Sequence, residues 1–230
     1  SWEMKALDKT YDKRNGRIRT TFYRKDNTIR SQRETTDVNN LNLTGAYYQI
    51  RNLNEETVVG PYYDVLTPEL AGVLMTTVTC PIQNANGQFE GLLGVDISLE
   101  TMKDIIADIS PFEGTVSYIV ADNRLMIAHS DNSLIGKDYF DNIHGDSTHF
   151  KTGFEKSLQN QSYEFEYVNA SDNNNYFVSY APISIGKAKK KWMIGIEVPA
   201  NIVMAEANSV FRNAVVVGLI GLLILYIMIY

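Results

Sequence analysis

The sequence predicts an α+β protein: two modules with antiparallel sheets in tandem, followed by a C-terminal transmembrane helix. Three observations lead there. Short runs rich in β-branched and aromatic residues recur along the chain, separated by turn-forming residues. One helical stretch stands mid-chain between two strand-rich halves. The last 17 residues, AVVVGLIGLLILYIMIY, carry no charge and no proline.

The strand-like runs lie at residues 20–24, 73–82, 89–97, 116–121, 124–128, 163–168, 176–183 and 191–198. Asp122-Asn123 tolerates positive φ and suits a tight hairpin between two of them. Asn84 to Gly87 (NANG) joins two more in the same way, so the sheets are expected to be mainly antiparallel. Leu99, Met102, Ile105, Ile106 and Ile109 recur at helical spacing after Ser98, an N-cap residue type, and Pro111 is expected to close that helix. Further helices are expected over 43–52 and 148–158. A last one starts near Pro199 and is expected to run through 202–213 into the apolar segment without a break. The polar stretch 169–175 and the basic stretch 187–191 read as solvated sheet ends. The organisation that follows is a membrane-distal module (1–98), a connecting helix (99–112), a membrane-proximal module (113–200) and an outgoing helix with its span (201–230).

A buried soluble helix shows a polar face every third or fourth position, and the C-terminal run shows none. Crossing a bilayer core takes about 20 apolar residues. The run stops where the chain stops, and the first residue is Ser1, so both ends are expected to continue in a longer protein. The bland alternative is a central helix of a large soluble core.

Composition excludes some classes of function. A net charge of −6 argues against a nucleic-acid binder, which needs a basic surface. The single cysteine, Cys80, cannot form an intrachain disulfide, and its place in a strand before Pro81 predicts a small buried apolar residue. His144 and His149 are five apart, which is not the one-turn spacing of a helical metal pair. No nucleophile elbow, phosphate loop or dinucleotide fingerprint is present. No metal, cofactor or catalysis is expected. The 14 tyrosines suit a partly wet pocket, since each ring joins an apolar body to a polar tip.

The second half reads hairpin, helix, then three strands, the order of the five-stranded antiparallel sheet in PAS-like sensor modules. Four stretches then carry a resemblance to the double Cache family, the paired PAS-like sensors of bacterial chemoreceptors and sensor kinases. Gly60-Pro61-Tyr62-Tyr63-Asp64 resembles the family's proline–tyrosine–any–aspartate segment. Cys80-Pro81-Ile82, with Asn84 to Gly87 and GLLGVDIS at 91–98, resembles its long hairpin. Residues 123–137, with Ile127-Ala128-His129 and Ile135-Gly136-Lys137, resemble the entry to its second module, and WMIGIEVP at 192–199 its final strand. The resemblance implies an extracytoplasmic sensing domain on the bacterial cytoplasmic (inner) membrane, a homodimer, and a long N-terminal helix upstream of Ser1. It also implies a small-molecule ligand.

The candidate site is Tyr47, Tyr48, Tyr62, Asp64 and Asp96. Asp96 interrupts the apolar run Leu92, Leu93, Val95, Ile97, and a buried carboxylate needs a partner, which a ligand ammonium would provide. Asp64 follows Tyr62 and Tyr63, and aromatic faces attract cations. In amino-acid-binding members of the family, an Arg two residues before a Trp-Tyr pair grips the carboxylate, while tyrosines and two aspartates hold the amino group. Tyr48, Tyr62, Asp64 and Asp96 match the amino-group side. On the other side, Tyr47 stands for Trp and Gly45 for Arg, and Arg51 would point from another helix face. An amine-bearing ligand, or one unrelated to amino acids, is therefore expected over a standard α-amino acid. Structural roles remain open beside this one. Asp96 would cap the following helix or end a strand, Asp64 would be a turn residue, and Tyr47 and Tyr48 would be core-facing and solvent-facing neighbours. The functional expectation is a receptor input domain. Its rivals are a membrane-tethered enzyme, a structural or adhesion module, or a sensor acting through a partner protein.

Overall fold

The computed structural model describes residues 19–34, 46–64, 70–107, 109 and 112–229. They form an α+β protein whose sheets are all antiparallel. The chain divides into two compact units. The first holds the described residues up to Glu100 with Ile185–Lys189, and the second holds Thr101–Ser184 and the described residues from Lys190 onward.

In the first unit, β1 (Arg19–Lys25) and β2 (Thr28–Glu34) form a two-stranded hairpin. Its turn residues Asp26 and Asn27 have φ of +50° and +60°, the mirror-image turn whose twist matches the flanking strands. Helix α1 (Ala46–Leu53) is anchored by buried Ile50 and stopped by Asn54 at φ +48°, whose N–H reaches Ile50 O at 2.9 Å. Strands β3 (Thr57–Tyr63), β4 (Leu74–Gln83) and β5 (Phe89–Ser98) form a three-stranded sheet in that order. The β4–β5 turn is the one expected at Asn84 to Gly87: Gly87 N–H donates to Asn84 O, and Asn84 Oδ1 accepts from Asn86 and Gln88 N–H.

Two of these strands were not legible. β2 (TIRSQRE) is mostly polar, with residues 28–31 exposed, so its sequence shows no alternation of apolar and polar positions. β3 (TVVGPYY) contains Gly-Pro, which reads as a turn but here sits inside a strand as a bulge. Cys80 also departs from expectation, because it is exposed. Burial falls away toward the end of β4: Met75, Thr76, Thr77 and Thr79 are buried, whereas Cys80 lies opposite exposed Leu93 and beside exposed Ile82 and Val95. The basic stretch after residue 186 is likewise not simply solvated. Ala188 is buried, Lys187 N–H donates to Glu56 Oε2 (2.8 Å), and Lys189 pairs with Glu55 (2.6 Å).

Helix α2 (Leu99–Ala107) begins as expected, with Ser98 Oγ accepting Glu100 N–H at 3.3 Å; Pro111 lies outside the described residues. In the second unit, β6 (Val116–Val120), β7 (Met126–His129), β8 (Tyr163–Val168), β9 (Asn175–Ser184) and β10 (Lys191–Pro199) form one sheet of order β7-β6-β10-β9-β8. The last strand therefore occupies the centre. The β6–β7 turn falls at Asp122-Asn123, but the positive φ (+71°) belongs to Arg124. Helix α3 (Ser147–Leu158), capped by Asp146 Oδ1 on Thr148 N–H, packs against β8, β9 and β10. Beneath it lies an aromatic core of Tyr118, Tyr139, Phe150, Phe154 and Tyr180 with Val120, Met126, Val178 and Met193. One five-stranded sheet thus appears in the second unit, whereas the described residues of the first form a hairpin and a three-stranded sheet.

The outgoing helix is not continuous. α4 (Ala200–Val203) ends at Met204 (φ −84°, ψ −5°), and α5 (Ala205–Ile229) follows. No glycine or proline in this stretch marks that break. Val210–Ile229 is 20 residues, long and apolar enough to cross a membrane, and none of it is buried. At about 1.5 Å per residue such a helix spans the ~30 Å of a bilayer core.

Gly195 in β10 lies against the Tyr118 ring, and a Cβ there would clash with it. Gly195→Ala is expected to cost about 1–3 kcal/mol by overpacking, read as a lower midpoint in urea or thermal melting. An unchanged midpoint would show that the Tyr118 ring moves aside freely.

Candidate functional site

The site in the first unit begins with the bulge in β3. Val59 lies opposite Thr77, but Tyr62 lies opposite Met75, so β3 holds one extra residue between them. Gly60 takes φ +116°, and a Cβ there would sit 3.1 Å from Met75 O and Thr76 Cα. The extra residue moves Tyr62 onto the face that carries Thr77 and, directly across from Thr77 on β5, Asp96. Without the bulge, Tyr62 would point to the other side.

On that face the three side chains form a hydrogen-bonded chain. Tyr62 OH lies 2.5 Å from Thr77 Oγ1, Thr77 Oγ1 donates to Asp96 Oδ1 at 2.7 Å, and Tyr62 OH reaches the same oxygen at 3.4 Å. Both contacts to the carboxylate go to Oδ1, leaving Oδ2 outside them. Thr77 is buried, Tyr62 half-buried and Asp96 exposed. The expectation that Asp96 is a buried charge is therefore corrected. β5 is an edge strand, and its apolar neighbours Leu93 and Val95 are themselves exposed. Nor does Asp96 have to cap α2, since Ser98 accepts the hydrogen bond there.

Asp64 is the buried acid, at 6% exposure. Its N–H donates to Val73 O and its carbonyl accepts from Gly72 N–H, so its backbone closes the neck of a loop. The charges of Asp96 and Asp64 both act on the Tyr62 phenol. Burial pushes that phenol above its ordinary value, the Thr77 hydrogen bond pulls it back, and each carboxylate raises it again. Asp96 thus contacts the hydroxyl and the charge of Asp64 adds to the negative field there, a setting that favours a cation.

Tyr47 and Tyr48 are half-buried on α1, with rings 5.4 Å apart edge to face, and Tyr47 meets Phe89 at 5.8 Å. α1 packs against β4 and β5, and Asn54 ties its end to the hairpin through Gly87 O (2.9 Å). Gly45 lies outside the described residues. Arg51 is exposed and lines an open polar cleft of about 680 Å³ with Asn54, Asn84, Gln88 and Glu90, which Tyr62, Thr77 and Asp96 do not line. Sequence reasoning missed Thr77. Its signal was the unusual run Thr76, Thr77, Thr79, whose members are all buried. The histidines serve locally: His149 Nδ1 meets Tyr163 OH at 2.8 Å, and His129 Nδ1 accepts Asp131 N–H.

This arrangement has relatives. Residues 4–104 match the family model described as methyl-accepting chemotaxis protein-like, first PDC sensor domain. The chain is 25% identical over 190 residues to methyl-accepting chemotaxis protein McpA of Pseudomonas putida, covering 77% of this chain and 26% of that protein. It therefore spans about a quarter of the curated relative it matches. Its fold is similar to the periplasmic sensory domain of the Campylobacter jejuni chemoreceptor Tlp1 (TM-score 0.63, 15% identity, 89% of this chain and 70% of that one). It is also similar to the ligand-binding domain of the Pseudomonas fluorescens chemoreceptor CtaA in complex with L-alanine (TM-score 0.52, 18% identity, 80% and 72% covered). At these identities the structural likeness concerns the fold. What the chain resembles, by family model and by fold, is the sensor domain of chemoreceptors, with no catalytic family indicated.

The Tyr62 phenol supplies a test of the site's electrostatics. Asp96→Asn is expected to move its titration down, because a raising charge is lost, and Thr77→Val to move it up, because a lowering bond is lost. Site-resolved NMR of ring-labelled tyrosine checks both, and shifts of the same sign would contradict the geometry.

Proposed function

We propose that this chain is the sensing part of a transmembrane receptor of the double Cache kind, binding a small amine-bearing molecule in its first unit. The observation that carries the reading is the hydrogen-bonded chain of Tyr62, Thr77 and Asp96, with the charge of Asp64 also acting on the Tyr62 hydroxyl. An ammonium group placed there would meet Asp96 Oδ2 and the negative field of both acids, and Tyr47 and Tyr48 would supply aromatic faces. The P. fluorescens relative holds L-alanine. Here Gly45 and Tyr47 stand in place of that family's carboxylate clamp, which favours an amine over an α-amino acid. The receptor would sit in the cytoplasmic membrane as a homodimer, its sensing units outside, with β10, α4 and α5 carrying the signal inward. A ligand shifts such a receptor only by binding its two states with different affinity.

The test is thermal stabilisation of the chain in nanodiscs against amines, amino acids, carboxylates and nucleobases. A ligand at 100 times its Kd adds about 2.7 kcal/mol. The expected result is an amine hit that is lost in Asp64→Ala and Asp96→Ala. A carboxylate hit indifferent to both changes would move the site, and an empty panel would favour sensing through a partner protein. Turnover of a hit would favour the tethered-enzyme rival. In the full receptor, a glycine-rich insertion after Met204 is expected to uncouple binding from output while leaving affinity unchanged. Retained output would show that the signal does not travel through the helix.

A further inference from the structure

The second unit contains an acid that the sensing site does not use. Glu197 lies in the central strand β10, two residues before Pro199 opens α4, and is 9% exposed. Its Oε1 accepts Tyr118 OH at 2.6 Å and its Oε2 accepts Tyr167 OH at 2.6 Å. The chain continues inward: Tyr118 OH lies 3.1 Å from Tyr180 OH and 3.2 Å from Tyr139 OH, and those two are 2.5 Å apart. Tyr118, Tyr139 and Tyr180 are buried and Tyr167 is partly buried.

The groups facing the carboxylate come from every neighbouring element. They are Tyr118 on β6, Tyr167 on β8, Tyr176 and Tyr180 on β9, and Tyr139 and His144 on the segment between β7 and α3. On β7, His129 stacks on Tyr118 at 5.6 Å with its Nδ1 unprotonated, because that atom accepts Asp131 N–H. Among the described residues no lysine or arginine pairs with Glu197.

Counting protons shows why this cluster is poised. With Glu197 ionised, Tyr167 and Tyr118 each give their hydrogen to it, and Tyr139 and Tyr180 pass theirs along toward Tyr118. All four hydroxyl hydrogens then have acceptors. One added proton on Glu197 turns an acceptor into a donor, so one arm has to reverse. Either Tyr118 turns back toward Tyr139 and Tyr180, or Tyr167 gives up its bond and turns to solvent.

We propose that Glu197 and its tyrosine hydroxyls form a proton-sensitive switch, in which uptake of one proton from an acidified medium reverses one hydroxyl arm and loosens the tie between β10 and either β6 or β8, altering the strand that leads into α4 and α5. Burial raises the Glu197 carboxyl above its ordinary value, while the two tyrosine donors and nearby His144 hold it back. A group whose folded value is raised contributes stability that is full below its unfolded value and is lost as pH rises through the folded one. Acid therefore stabilises the fold through Glu197. Burial lowers His129, so its contribution has the opposite sign and is lost as pH falls through its folded value.

The experiment follows the backbone amides of β10 and α4 by NMR through a pH titration of the full chain in nanodiscs, with the infrared carboxylic-acid band read in parallel. Wild type is expected to show one transition shared by the acid band and the amides. Glu197→Gln is expected to lose that transition and to hold the acid-form amide positions at neutral pH. Tyr167→Phe removes a donor that favours the charged form and is expected to raise the midpoint by about one pH unit, a tenfold gain in proton affinity. A packing role alone would not move that midpoint, so Tyr167→Phe also decides the matter if Glu197→Gln does not fold. A transition that persists in Glu197→Gln, a midpoint unmoved in Tyr167→Phe, or a transition lost in His144→Gln while Glu197 stays ionised would each overturn the switch.

Discussion

A carboxylate inside a protein must find donors, because an unpartnered buried charge costs far more than any single contact returns. Glu197 meets that requirement with two short tyrosine hydrogen bonds, and the second unit is arranged around it. Hydrogen bonds to charged groups are worth about 1.5–3 kcal/mol each. They join the central strand β10 to β6 on one side, through Tyr118, and to β8 beyond β9, through Tyr167. The rings need room, and the chain makes it with glycine: Gly195 accommodates the Tyr118 ring, and Gly153 on α3 accommodates Tyr180 and Tyr163. The acid's two bonds thus link three strands of the sheet, with Gly195 leaving room for one of its donor rings.

The first unit treats its acids differently. Asp96 stands on an edge strand with one oxygen engaged by Thr77 and the side chain exposed, while Asp64 is buried at the neck of a loop. The bulge at Gly60-Pro61 places Tyr62 on the face that carries Asp96. In the second unit the donors are internal and the interior is filled. In the first, an acidic face remains accessible, which is the property a ligand site needs. In the reading proposed above, the first unit recognises the ligand and the second responds. Among the described residues, the helix at the end of the second unit is the one long and apolar enough to cross a membrane.

The chain covers about a quarter of the P. putida chemotaxis protein it matches. In a sensor the useful quantity is a free-energy difference between two states. Short, directional hydrogen bonds that can reverse, such as those around Glu197, are suited to storing a small difference of that kind.

Much of this was legible from the residues alone. Alternating apolar runs and the turn pairs Asp122-Asn123 and Asn84 to Gly87 located eight of the ten strands and the antiparallel pairing, because strand periodicity and turn stereochemistry are local properties. The uncharged C-terminal run marked the helix long and apolar enough to cross a membrane for the same reason. Tyr62, Asp64 and Asp96 were singled out by residue type and resemblance. Only the tertiary structure decided which of them meet. A single bulge residue in β3 determines the side on which Tyr62 stands, register across β4 brings in Thr77, and among the described residues the edge position of β5 leaves Asp96 exposed. Glu197 was invisible as a special residue, since its partners Tyr118 and Tyr167 lie 79 and 30 positions away and no local pattern records who shares a buried acid. Local sequence determines which elements form and where they turn; the pairing of charges and hydroxyls between distant elements depends on burial, which exists only once the sheets have closed.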